Sequence, residues 1–141
     1  MRIRSVNLSW RGPTLIIRID LPYFPDAAPQ DWVASEFDTV QCHLGFLAVQ
    51  NLAIHSWRPP AFGRLEAAPR TGERWRHVDI NGDGVNLEFD CADSVMVGHV
   101  SAFKIGTDGS DQGPRSFVSR IDSRRYASLP ETWEKSYYER T

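Results

Sequence analysis

Hydrophobic and polar residues take turns along most of this chain, and a period of two predicts strands with one dry face. The pattern is densest from Phe37 to Trp57. There Val40, Cys42 and Leu44 alternate with Gln41 and His43, and Leu52 and Ile54 alternate with Ala53, His55 and Trp57. The two runs read as tandem strands bent at Gly45. Upstream, Ile3–Trp10 places Val6, Leu8 and Trp10 on one face. After the turn Arg11-Gly12-Pro13, Thr14–Leu21 turns Leu15, Ile17, Ile19 and Leu21 inward and Arg18 and Asp20 outward. Ile16 interrupts that polar face, which predicts a strand partly covered on both sides. Downstream, Arg58–Gly63 (RPPAFG) reads as a break and Arg64–Ala67 as a short strand. Arg74–Ile80 and Val85–Cys91 form a predicted hairpin through Asn81-Gly82-Asp83-Gly84. In Val95–Ile105, the residues Val95, Val97, His99, Ser101 and Phe103 share a face.

Three stretches lack the alternation. Pro22, Pro25 and Pro29 forbid a ladder between Pro22 and Glu36, where a short helix is predicted at Gln30–Val33. Gly106–Arg115 (GTDGSDQGPR) has the composition of a flexible connector. Pro130 and Glu131 open a predicted short helix that runs through Tyr138. The expected fold is all-β: an antiparallel β-sandwich or partly open β-barrel with a short C-terminal helix. Residues 1–105 form the β-domain, and residues 106–141 form a flexible linker and a tail packing on it.

Composition narrows the classes. A chain of 141 residues is long enough for one domain with its own core. The net charge of −2 supplies no basic field to attract nucleic acid or an anionic membrane. No run approaches the ~18 apolar residues of a membrane span, and MRIRSVNLSW has no apolar leader core. These features predict a cytoplasmic protein that binds neither nucleic acid nor membrane. The basic residues are almost all Arg, a codon bias suggestive of a GC-rich bacterial genome. Cys42 and Cys91 fall at inward strand positions and read as small buried hydrophobes.

Candidate chemistry is sparse. Asp79-Ile80-Asn81-Gly82-Asp83-Gly84 matches the opening of a calcium loop, with Asp90 at the twelfth position. Asn86 stands where an apolar residue is usual, however, and period-two flanks predict a plain turn instead. His43, His55, His77 and His99 lie more than four residues apart, and no Cys/His cluster exists, so neither a metal nor a cofactor is expected. Trp57, His55, Trp75, His77 and Asp79 are read as sharing one face. In a closed barrel they would line a cavity, with Trp57 and Trp75 shaping it and His55, His77 and Asp79 available for acid–base work. Tyr23, Phe24 and Trp32 either fold back as a lid or form an exposed recognition surface. Trp133, Tyr137 and Tyr138 make one helical stripe, suited to packing on the domain or to a homodimer.

The residue order from Leu8 to Trp57 resembles the immunity protein 50 family of bacterial polymorphic toxin systems. The resemblance is carried by Gly12-Pro13-Thr14-Leu15, Ile17–Pro22, Phe24-Pro25-Asp26, Trp32, Phe37-Asp38-Thr39-Val40-Gln41 and Val49–Trp57. Gly84–Phe89 and Val100-Ser101-Ala102-Phe103 are also similar, and the tail after Gly106 is not part of the pattern. The resemblance implies a non-enzymatic protein that binds and neutralises a cognate toxin, and it brings no catalytic residue. Tyr23, Phe24, Trp32 and Trp57 are the expected contact residues. The alternative is a small-molecule-binding or cyclase-like β-domain of a biosynthetic pathway, using the Trp- and His-lined cavity.

Overall fold

The computed structural model describes residues 1–9, 12–69, 74–111 and 113–117. Seven strands form one antiparallel sheet: β1 (Arg2–Leu8), β2 (Leu15–Asp20), β3 (Thr39–Phe46), β4 (Gln50–Pro69), β5 (Trp75–Ala92), β6 (Val95–Phe103) and β7 (Arg115–Phe117). Their order is β5-β4-β1-β2-β3-β6-β7. One short helix, α1 (Gln30–Ala34), follows Pro29 as expected. The fold is all-β with a minor helix. The predicted C-terminal helix, with Trp133, Tyr137 and Tyr138, lies outside the described residues, as does Trp10.

The sheet is open but curls over its own core. Phe46 on β3 and Phe89 on β5 are four strand positions apart, which a flat sheet would hold roughly 19 Å apart. Their ring centroids are 5.0 Å apart, edge to face. The Ala92 backbone N–H also donates to Leu47 O at 2.9 Å, tying the end of β5 to the bend after β3. This single curled sheet fits the partly open barrel better than two stacked sheets. Inside it, Ile3, Leu15, Ile17 and Ile19 meet Val78, Ile80, Val85 and Leu87, all at most 2% exposed. Each such side chain contributes roughly 1.5–3 kcal/mol of burial. A second, smaller cluster joins Trp32 of α1 to Val40 and Ala102, on the same sheet face as Cys42, with Val100 touching both clusters.

Several boundaries differ from the reading of the sequence. The bend after β3 falls at 47–49, while Gly45 stays in the ladder opposite Ile16 and Met96. β4 does not end at Arg58-Pro59-Pro60. It bulges there instead, with residues 58–61 lying between the Trp57↔Val85 and Phe62↔Asp83 pairs and Gly84 alone on the other strand. The chain reverses at Asn81–Gly84 as predicted, but inside one strand. Arg74 O accepts from the Asp93 N–H at 3.0 Å, and His77 touches Asp90, which a straight strand would place roughly 40 Å away. The turn itself remains paired to β4, with Gly82 opposite Gly63. A Cβ on Gly82 would lie 2.0 Å from Phe62 O, which accounts for the glycine.

In β6 the predicted common face is split. Gln41 pairs with Ser101 and His43 with Gly98, so two residues of β6 oppose one of β3. His99, with φ 53°, absorbs the extra residue. Ser101 and Phe103 therefore face with Gln41, opposite Val95 and Val97. The sheet also continues past residue 105, since Arg115 pairs with Phe103 and Phe117 with Ser101.

Candidate functional site

β1 and β4 pair only at Arg2↔Phe62 and Ile3↔Ala61, after which their ladder stops. The divergence opens an apolar groove of about 340 Å³ lined by Val6, Leu8, Leu15, Leu52, Ile54, Trp57 and Leu87. Leu8 is 52% exposed and Ile54 53% exposed at its mouth. Trp57 reaches this groove because β4 is irregular between Ile54 and Ser56. Ile54 pairs with Leu87, Ser56 with Asn86 and Trp57 with Val85, so Trp57 joins the aliphatic face. The sequence placed Trp57 on the opposite face, beside His55. That grouping is corrected, and the expected cavity shared by Trp57, His55 and His77 does not form.

The remaining polar members do come together. His77 Nδ1 lies 2.7 Å from Asp90 Oδ1, and Asn51 Nδ2 donates to Asp90 Oδ2 at 2.9 Å. His77 Nε2 lies 3.5 Å from Asp79 and 3.8 Å from Glu88. His55 Nε2 is 4.0 Å from Glu88. The Asp90 hydrogen bond raises the His77 pKa above its ordinary value; burial opposes this, and the charges of Asp79, Asp90 and Glu88 reinforce it. Trp75 sits half-buried at the start of β5. Glu88 and Asp90 were not named as partners of His77, although the predicted hairpin of 74–80 with 85–91 was the signal that could have found them.

The expected aromatic contact residues do not form one surface. Tyr23 is 84% exposed, Phe24 leans on Trp32 with centroids 6.1 Å apart, and Trp32 is 4% exposed. Trp32 thus holds the 22–38 connection against Val40 and Ala102. Tyr23 lies beyond the Asp20 end of β2, whereas Leu15, at the other end, lines the groove with Trp57.

A third cluster was not foreseen. Arg4 bonds Asp20 at 2.6 Å, and Gln41 Nε2 donates to Asp20 at 2.7 Å and to Asp111 at 3.0 Å. Arg115 donates to Gln41 Oε1 at 3.0 Å and to Ser101 Oγ at 2.9 Å. Arg4 and Arg115 also stand over the Phe103 ring, at 5.9 and 5.0 Å from its centroid. Gln41 is fully buried and Asp20 4% exposed, although alternation placed both outward. The cover is supplied by Asp111 and Arg115, from the stretch 106–115 read from composition as a connector. Burial by itself would raise the Asp111 carboxyl, but the Gln41 bond and the guanidiniums of Arg18, Arg4 and Arg115 hold it below the usual range.

Cys42 and Cys91 are free and buried, and burial, then the Asp20 charge, pushes the Cys42 thiol up to about 11. Among the described residues, no helix is long and apolar enough to cross a membrane.

Fold and groove together define a small antiparallel β-domain with an open apolar cleft beside its bulged strand. The model of the immunity protein 50 family matches residues 1–103, and the chain belongs to that family. Comparison with curated proteins gave no match, and comparison with solved structures gave none either.

Proposed function

We propose that this chain is a non-enzymatic bacterial immunity protein that binds and neutralises a cognate protein toxin in the cytoplasm. Family membership supports the class of activity. The observation that carries the contact surface is the groove between β1 and β4, with exposed Leu8 and Ile54 at its mouth and Trp57 in its wall. Apolar side chains gathered around one open groove suit the seating of a partner's anchor residue. Its occupant is an apolar side chain of the toxin, seated as an anchor and screened from water by its rim.

The test is calorimetry with candidate toxins expressed from the genes that neighbour this one. Ile54→Asp and Leu8→Asp change exposed positions, so the fold is retained. Each is expected to weaken the complex by about thirtyfold or more, the scale of an anchor residue. Tyr23→Ala, at the other end of the sheet, is expected to leave affinity within about threefold. Unchanged affinity in both groove variants rejects the groove. No complex with the toxin rejects the function.

A further inference from the structure

We propose that His77, Asp79 and Glu88 form a binding site for a divalent transition-metal ion of the zinc type, independent of the toxin-binding groove. The reversal of β5 at Asn81–Gly84 creates the site by laying its two arms side by side. One ligand atom from each of the three residues falls within 4.8 Å of the others. The edge of a tetrahedron built on zinc–nitrogen and zinc–oxygen bonds is about 3.4 Å. His77 Nε2 stands 3.5 Å from Asp79 Oδ1 and 3.8 Å from Glu88 Oε2, so small side-chain movements complete that geometry.

The surroundings prepare the imidazole as a ligand. Asp90 is buried, is held by Asn51, and takes the Nδ1 side of His77. In the neutral tautomer that donates Nδ1–H to Asp90, the Nε2 lone pair faces Asp79 and Glu88, and the ion binds there by displacing the Nε2 proton to solvent. A carboxylate behind a histidine is the usual outer support of a zinc ligand. The same face carries an excess of negative charge. Glu66 pairs directly across from Asp79, and its neighbouring cation, Arg64, is 3.9 Å away and exposed. Like charges opposed across strands repel, and a divalent cation between the carboxylates and Nε2 relieves that repulsion. Half-exposed ligands leave a position for water or for His55, which is 4.0 Å from Glu88. Histidines spaced too widely along the sequence to suggest a site thus acquire carboxylate partners through the fold.

The experiment titrates the full chain with Zn²⁺ by calorimetry at neutral pH and with Co²⁺ by visible absorption. Saturable binding of one ion is expected, with a tetrahedral cobalt spectrum and a raised melting midpoint. His77→Gln and Glu88→Gln, at half-exposed positions, are expected to abolish saturation and the thermal shift. Asp90→Asn is expected to weaken binding by about 10–100-fold. Asp26→Asn, an exposed carboxylate on the 22–38 connection, should change affinity by less than about threefold. Zinc binding that survives His77→Gln, calcium binding in preference to zinc, or the absence of saturable binding overturns the proposal. None of these outcomes depends on the toxin.

Discussion

Gln41 shows how far a single residue departs from its place in a pattern. It alternates with Val40 and Cys42 as a solvent-facing position would, yet it is fully buried and bonded to Asp20, Asp111 and Arg115. A buried network of this kind is stable only while each member keeps its partners. Asp111 gives it a pH dependence with a definite sign. Its folded pKa lies below the unfolded value, so its contribution is present above the unfolded value and is lost as pH falls through the folded one. Asp111→Asn is expected to cost about 1.5–3 kcal/mol near neutral pH. The gap from the parent chain should close as pH drops below ~4. Urea denaturation at a series of pH values checks both parts. The hydrophobic half of this alternation was legible in the sequence, because Ile17, Ile19 and Cys42 bury where the period places them. The polar half was signalled only by Ile16 on the second face of β2, because a period of two distinguishes the faces of a strand without saying which segment covers the second one.

At the scale of elements, β4 and β5 show why glycine and proline were only partly readable. Asn81–Gly84 was recognised as a reversal, and the arms on either side do meet. Arg58–Gly63 was read as a break, but β4 passes around the reversal there and stays paired on both sides. Proline-rich sequence signals an interrupted ladder; whether the interruption is an end or a bulge depends on the partner strand. Here the partner supplies Gly82 and Gly84, which let β4 approach closely. A Cβ at 82 would meet backbone on β4, which no side-chain rotation can relieve. Gly82→Ala is therefore expected to destabilise the protein by at least ~2 kcal/mol. Chemical denaturation measures this, and a variant of parental stability would show that the two strands are not held this close. The bulges also decide chemistry. One sends Trp57 to the groove, and the one at His99 turns Ser101 toward Gln41.

For the whole molecule, the segment 106–117 matters more than its composition suggested. It brings Asp111 and Arg115 over a sheet face that already holds Arg4, Arg18, Asp20 and Gln41. The family match ends at residue 103, so this cover is an addition to the matched domain. A chain ended at Ile105 is expected to be less stable than one ended at Phe117 by about 3–5 kcal/mol, the scale of breaking a buried ion pair. Comparing the two by thermal and urea denaturation checks this; equal stabilities would show the network to be incidental. The groove and the histidine–carboxylate cluster are also products of the whole molecule. One exists because β1 and β4 part after two residue pairs, and the other because β5 folds back.

By itself the sequence determined most of the strands, though not β7 or the continuity of β4, together with the helix after Pro29, the all-β class and the resemblance that the family match establishes. Those properties follow from local chemistry: side-chain period, backbone restriction and the order of residues. The tertiary structure alone decided the curl of the sheet, the burial of Asp20 and Gln41 and the place of Trp57. Each depends on register between distant segments, and one extra residue in one strand exchanges the faces for everything beyond it.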